Sequence, residues 1–241
     1  MTKSTERLQA VQANIKQALT KRDSQHIVNE NGEVTLLAVS KAQPAERLRE
    51  AYQAGQSKFA ENYLQEALNK QAELADLAIE WHFIGPIQSN KTQPIAAHFS
   101  WVHGVDRLKI AQRLNDARPA DLPPLQICLQ VNISGEDSKS GVAPNDLLVL
   151  AQAVRALPKL RLRGLMAIPE PSNDVALQHR QFQQMRELLQ DLVRQGFALD
   201  TLSMGMSGDY AIAIEEGATM LRIGSAIFGA RAAKITTENA N

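Results

Sequence analysis

The run Val34-Thr35-Leu36-Leu37-Ala38-Val39-Ser40-Lys41 decides how the chain is read. Uncharged aliphatic and β-branched residues lead without a break to a serine and a lysine. The run is far too short to span a membrane and suits a buried, pleated strand. Side chains alternate along a strand, so Lys41 points the same way as Val39, Leu37 and Thr35. A lysine at the C-terminal end of a strand buried on both faces stands where parallel α/β folds place their chemistry. Burial disfavours an ammonium ion and leaves an amine able to attack a carbonyl. The plainer alternative is a strand that stops at its first charge, and the rest of the chain decides between the two.

Outward from that strand, residues 5–22 set Leu8, Val11, Ile15 and Leu19 on one stripe, which predicts an amphipathic helix before the sheet. Pro44 opens a second helix and Gly55 ends it. Further short strands are expected at 58–61, 81–84, 101–105, 125–131, 162–167, 201–204 and 219–222. Helical segments separate them; Asp106 is the expected N-cap of one, Gly196 stops the long segment 175–195, and Gly217 ends 210–216. Eight strands alternating with eight helical segments predict a parallel sheet, and at this length a closed (β/α)8 TIM barrel. An open doubly wound sheet is the rival, which periodicity does not separate from it. No Gly-x-Gly-x-x-Gly follows the first strand, which weakens the dinucleotide version of that rival. A single domain over 1–241 is expected, with 1–30 as helix and lead-in and 232–241 as a frayed tail.

Composition narrows the function classes. Lys plus Arg and Asp plus Glu both number 26, so no overall field favours nucleic acid or an anionic membrane. The chain's one cysteine, Cys128, excludes an internal disulfide; inside the apolar run 125–131 it reads as a small buried hydrophobe. The start of the chain, with Lys3, Glu6 and Arg7, lacks the continuous apolar stretch of a signal peptide, and a cytoplasmic location is expected. The histidines His26, His82, His98, His103 and His179 show no metal-ligand spacing; His82 and His103 fall in predicted strands and read as satisfied core or rim residues.

The loops after the last two strands are the second informative place. They read Met204-Gly205-Met206-Ser207-Gly208-Asp209 and Arg222-Ile223-Gly224-Ser225-Ala226-Ile227-Phe228-Gly229. In barrels a phosphate site is often built from these two loops and a helix N-terminus. Ser207 offers a hydroxyl, and Gly224 and Ser225 offer backbone amides. Alternatively Ser207 only caps the helix beginning near Gly208. In a closed barrel the last strand neighbours the first, so Lys41 shares a rim with these loops. A lysine opposite a phosphate cradle suits an aldehyde phosphate held as an imine, of which pyridoxal 5′-phosphate is the obvious example. A sugar-phosphate aldolase needs similar parts, but it has no use for an arginine such as Arg222 that reaches a pyridine nitrogen.

At this point whole motifs resemble one family. Ala38-Val39-Ser40-Lys41, Phe59-Ala60-Glu61-Asn62-Tyr63, His82-Phe83-Ile84-Gly85 with Gln88-Ser89-Asn90-Lys91, Gln130 through Gly141, Gly164-Leu165-Met166-Ala167-Ile168-Pro169, Leu202 through Ser207 and Arg222 through Gly229 are similar to the pyridoxal phosphate homeostasis proteins. The resemblance covers roughly 34–229 and implies a fold like the barrel domain of alanine racemase. It implies a Schiff base on Lys41, a phosphate held by Ser207, Gly208, Gly224 and Ser225, Arg222 at the pyridine nitrogen, and Asn62 beside the ring. It further implies a monomer that buffers or delivers pyridoxal phosphate, meets cofactor-requiring apo-enzymes transiently, and influences amino-acid and keto-acid metabolism indirectly.

Catalysis is not expected. An arginine beside the pyridine nitrogen keeps it unprotonated and blunts the ring as an electron sink. Racemization also needs an acid–base group on the opposite face of the ring. In alanine racemase that is a tyrosine from a C-terminal β-domain of the partner subunit, which a chain ending at Asn241 is expected to lack. The alternative is an amino-acid racemase or lyase working from one barrel, with Tyr52, Tyr63 and Tyr210 as the available tyrosines. Lys139, in the polar loop 134–141, either contacts a phosphate at the pocket mouth or faces water. The segment 170–174 reads as an ordinary surface loop rather than a lid.

Overall fold

The computed structural model describes residues 2–135 and 140–229. The opening run forms strand β1, Thr35–Val39. After it come β2 (Lys58–Glu61), β3 (Glu80–Phe83), β4 (Trp101–Val105), β5 (Leu125–Gln130), β6 (Leu160–Met166), β7 (Thr201–Ser203) and β8 (Met220–Ile223). Each pairs in parallel with its successor. β8 then returns to β1, with Thr35 opposite Met220 and Leu37 opposite Arg222. Among the described residues the sheet is thus a closed barrel in sequence order, not an open doubly wound sheet. Closure pairs every strand on both sides and leaves no edge.

The expected alternation sorts two cores. Ala38, Phe59, Phe83, Val102, Leu129 and Leu221 face outward, under the helices. Leu37, Val39, Ala60, Ile84, Trp101, Cys128, Met166 and Met220 fill the barrel. Cys128 is fully buried there, and burial pushes its thiol up to about 12, so it is the inert hydrophobe the sequence predicts. β6 and β7 approach so closely at Gly164 that a Cβ would lie 1.8 Å from the Thr201 carbonyl oxygen.

Helix α1 spans Lys3–Leu19 rather than 5–22. Thr2 caps it by accepting from the Thr5 amide, and the Thr20 hydroxyl turns back onto the Gln17 carbonyl at 2.7 Å. Its stripe Leu8, Val11 and Ile15 is buried. The connecting helices are α2 (Ala45–Gln53), α3 (Leu64–Glu73), α4 (Thr92–His98), α5 (Leu108–Ala117), α6 (Leu147–Arg155), α7 (Val175–Arg194), α8 (Tyr210–Glu215) and α9 (Ser225–Phe228). Asp106 does not cap α5. Arg107 holds that position without a side-chain cap, and the Asp106 carboxylate is engaged by the Arg107 guanidinium at 2.7 Å. Asp174, from the segment 170–174, caps α7 by accepting from the Leu177 amide at 3.1 Å. Among the described residues no helix is long and apolar enough to cross a membrane. Lys139 and the tail 232–241 lie outside the described residues, as do the central residues of the 134–141 loop.

Candidate functional site

A cavity of about 520 Å³ opens at the C-terminal rim of the barrel. Lys41, Asn62, Ser207, Gly208, Arg222, Gly224 and Ser225 all line it, so the fold brings these nominated residues together, while Lys139 lies outside the described residues. Val39 and Lys41 both border the cavity, although β1 ends at Val39 and Lys41 stands in the turn that follows rather than in the strand. Gln43, Ile84, Ile168, Met206 and Gly229 complete the wall; sequence reasoning missed them because none carries a distinctive reactive group.

Lys41 sits on a turn that is fastened on both sides. Ser40 before it is fully buried. Its hydroxyl donates to Glu61 Oε1 at 2.6 Å, and its carbonyl accepts from Lys70 Nζ at 2.6 Å. Ala42 after it is, among the described residues, the only non-glycine at positive φ, 58°. Its amide donates to Glu66 Oε1 at 2.5 Å. Such a backbone persists only where its surroundings over-determine it. Lys70 ties the turn together, with its Nζ also 2.6 Å from Glu61 Oε1 and from Glu66 Oε1. Burial pushes the Glu61 carboxyl up, and Lys70 opposes that shift. No local signal marked this cluster, because the Lys70–Glu66 spacing is that of any surface helix pair.

Across the rim, the Ser207 and Ser225 hydroxyls lie 3.2 Å apart. Ser207 is not the helix cap: the Met206 amide donates instead to Asp209 Oδ1 at 2.6 Å, and Asp209 occupies the N-cap of α8. Ser225 begins α9 with Gly224 at its N-cap; the Ile227 amide already donates to the Gly224 carbonyl at 2.9 Å, which leaves the Ser225 and Ala226 amides as the first-turn donors without an intrahelical acceptor. A Cβ on Gly224 would lie 3.0 Å from the Val39 carbonyl oxygen, so only a glycine lets this backbone close on β1 unhindered.

Arg222 projects from β8 into the barrel top and is almost fully buried. Its Nη1 donates to the Ser203 carbonyl at 2.5 Å and to Ser203 Oγ at 2.9 Å, and its Nη2 to the Ala167 carbonyl at 2.8 Å. Burial draws its pKa down to about 10, which leaves a cation at neutral pH. Asn62, directly after β2, buries an Oδ1 atom that has no hydrogen-bond partner among the described residues. The site therefore offers an amine, a fixed guanidinium, two facing hydroxyls with free first-turn amides, and an unsatisfied amide oxygen. That donor set fits a small anionic carbonyl compound. His82 and His103 are fully buried in the barrel and bond each other at 2.9 Å. Among the described residues no group of three or more His, Cys, Asp or Glu is placed to hold a metal ion.

The barrel and its rim define the class: residues 7–232 match the alanine racemase N-terminal domain family. The chain is 69% identical over 198 residues to the pyridoxal phosphate homeostasis protein of Pseudomonas aeruginosa, covering 82% of this chain and 85% of that one. It is 54% identical over 202 residues to the protein of that name from Escherichia coli, covering 83% and 86%. The chain belongs to the pyridoxal phosphate homeostasis protein family. Among solved structures it is similar to PipY of Synechococcus elongatus with pyridoxal phosphate bound, at TM-score 0.81 and 37% identity, covering 94% of this chain and 100% of that one. An alanine racemase from Corynebacterium glutamicum shares the fold at TM-score 0.65 and 17% identity, over 86% of this chain and 59% of the racemase.

Proposed function

We propose that this chain binds pyridoxal 5′-phosphate at the rim cavity, attached through Lys41 as a Schiff base, and buffers or delivers it without turning over amino acids. The carrying observation is that the Lys41 amine, the Arg222 guanidinium and the Ser207–Ser225 cradle line one cavity. The names of the relatives and the cofactor in PipY support the same reading. When bound, the cofactor supplies an aldehyde and a ring able to accept electrons.

The protein's residues divide the remaining work. Lys41, held by its fastened turn, is the covalent anchor. Ser207, Gly208, Gly224 and Ser225 hold the phosphate through hydroxyl and amide donors. Arg222, with only donors to offer, would hold the pyridine nitrogen and favour the unprotonated ring. Asn62, whose Oδ1 has no partner among the described residues, would line the ring. Among the described residues, the ionisable groups lining the cavity are Lys41 and Arg222. Racemization needs a second acid–base group, which favours storage over turnover. In this reading the barrel is one domain, works as a monomer in the cytoplasm, and meets apo-forms of cofactor-requiring enzymes only transiently.

The test is a visible spectrum of the purified protein before and after borohydride, with peptide mapping of the reduced lysine. The reduced adduct is expected on Lys41, and Lys41→Ala is expected to abolish the visible band. An adduct on another lysine, or sustained racemization by the pure protein, overturns the proposal.

A further inference from the structure

A polar chain runs through the barrel from one mouth to the other. At the N-terminal mouth Glu80 borders a second cavity, shared with Lys58, Trp101 and Arg163, and its side chain is 37% exposed. Glu80 Oε1 is 3.0 Å from His82 Nε2, and His82 Nδ1 is 2.9 Å from His103 Nε2. His103 Nδ1 is 2.8 Å from Ser203 Oγ, which is 2.9 Å from Arg222 Nη1 at the rim cavity. His82, His103 and Ser203 are fully buried. Trp101 stacks on His82 with centroids 5.5 Å apart and planes at 15°, which fixes the ring plane.

Counting protons along this chain gives it a direction. Burial pushes the pKa of His82 down and that of His103 well down, so both rings are neutral and carry one N–H each. An ionised Glu80 only accepts, so the His82 proton belongs on Nε2 and its Nδ1 becomes an acceptor. His103 must then donate from Nε2 and accept at Nδ1. The Ser203 hydroxyl fills that acceptor and keeps its lone pairs for the Arg222 N–H, and every junction is satisfied. In the reverse order the His82 Nε2 lone pair would face the Glu80 carboxylate, a buried mismatch. Aligned bonds of this kind polarise one another and make Ser203 a better acceptor.

We infer that Glu80 is a positioning residue for the cofactor site: through His82, His103 and Ser203 it sets the direction of this chain and thereby how Arg222 presents its guanidinium. The inference rests on the cofactor reading above. Imidazole ¹⁵N NMR on cofactor-free protein tests the direction without that reading. Both histidines are expected as neutral Nε2–H tautomers. Glu80→Leu, which removes the acceptor, should let both rings populate the Nδ1–H form, whereas Ser203→Ala should leave them as they are. With pyridoxal phosphate added, both variants should shift the visible maximum and release the cofactor severalfold faster. An Nδ1–H tautomer in the unaltered protein, unchanged tautomers in Glu80→Leu, or an unchanged bound spectrum in both variants overturns the inference. Failure of the protein to take up pyridoxal phosphate overturns the cofactor reading instead, and is seen separately from the tautomer result.

Discussion

Lys70→Met is the sharpest probe of the turn that presents Lys41. The side chains of Lys70 and Glu61 are 6% and 0% exposed, and their charged atoms are 2.6 Å apart. Removing one partner of such a pair leaves a buried charge and costs about 3–5 kcal/mol. Three contacts vanish together, to Ser40, Glu61 and Glu66, which supports the upper half of that range. For a protein of this size the midpoint of thermal unfolding should fall by roughly 8–20 °C, at about 2–4 °C per kcal/mol. The pH dependence identifies the cause. Burial already raises the Glu61 pKa, and the Lys70 charge is what most opposes that rise, so the variant raises it further. A carboxyl with a raised folded pKa contributes stability that is fully present below its unfolded value, about 4.3, and is lost as pH rises through the folded one. The deficit should therefore be small near pH 4.5 and grow toward pH 8. Urea titrations of both proteins across that range measure it, and adding Glu61→Gln should recover most of the loss. A deficit below about 1 kcal/mol at pH 8, or one that does not change with pH, would refute the reasoning.

Three further outcomes are expected. Gly85→Ala should destabilise by about 1–3 kcal/mol and weaken cofactor binding, read by denaturation and by spectroscopic titration. The new Cβ would stand 2.1 Å from the Asn62 carbonyl oxygen, which is backbone and has little room to yield. Cys128, with its thiol pushed up to about 12, should be inert to a chromogenic disulfide reagent in the folded protein and react fully in denaturant. His82 and His103 have depressed folded pKa values. Their contribution is thus complete above about pH 6.5 and lost as pH falls through the folded values, with a slope of up to about 1.4 kcal/mol per pH unit for each proton. Urea midpoints between pH 7.5 and 5 measure that loss.

Much of this was legible in the sequence because it is local. The apolar run before Lys41 announces a buried strand that delivers the lysine to the barrel rim, although the strand stops at Val39 and a turn presents Lys41. The glycine- and serine-rich loops after β7 and β8 announce a cradle through residues that stand next to one another. What escaped is what depends on partners distant in sequence. Glu61 ends a predicted strand and Lys70 lies in the helical segment after it; only the packing of α3 against β2 makes them a buried pair. His82 and His103 stand 21 residues apart and meet because β3 and β4 are neighbours. Ser203 comes from a hundred residues beyond His103. Periodicity reports which face a residue takes and says nothing of what it meets there. Asp106 departs from its expected role for a local reason instead: the adjacent Arg107 engages the carboxylate that a helix N-terminus would otherwise use.

The pairing of β8 with β1 carries a consequence for how the protein is made. Lys41 follows the first strand and Gly224 and Ser225 follow the last, so a ribosome must deliver nearly the whole polypeptide before these residues face one another. Under the proposed function, pyridoxal phosphate is then captured only by chains long enough to close the barrel.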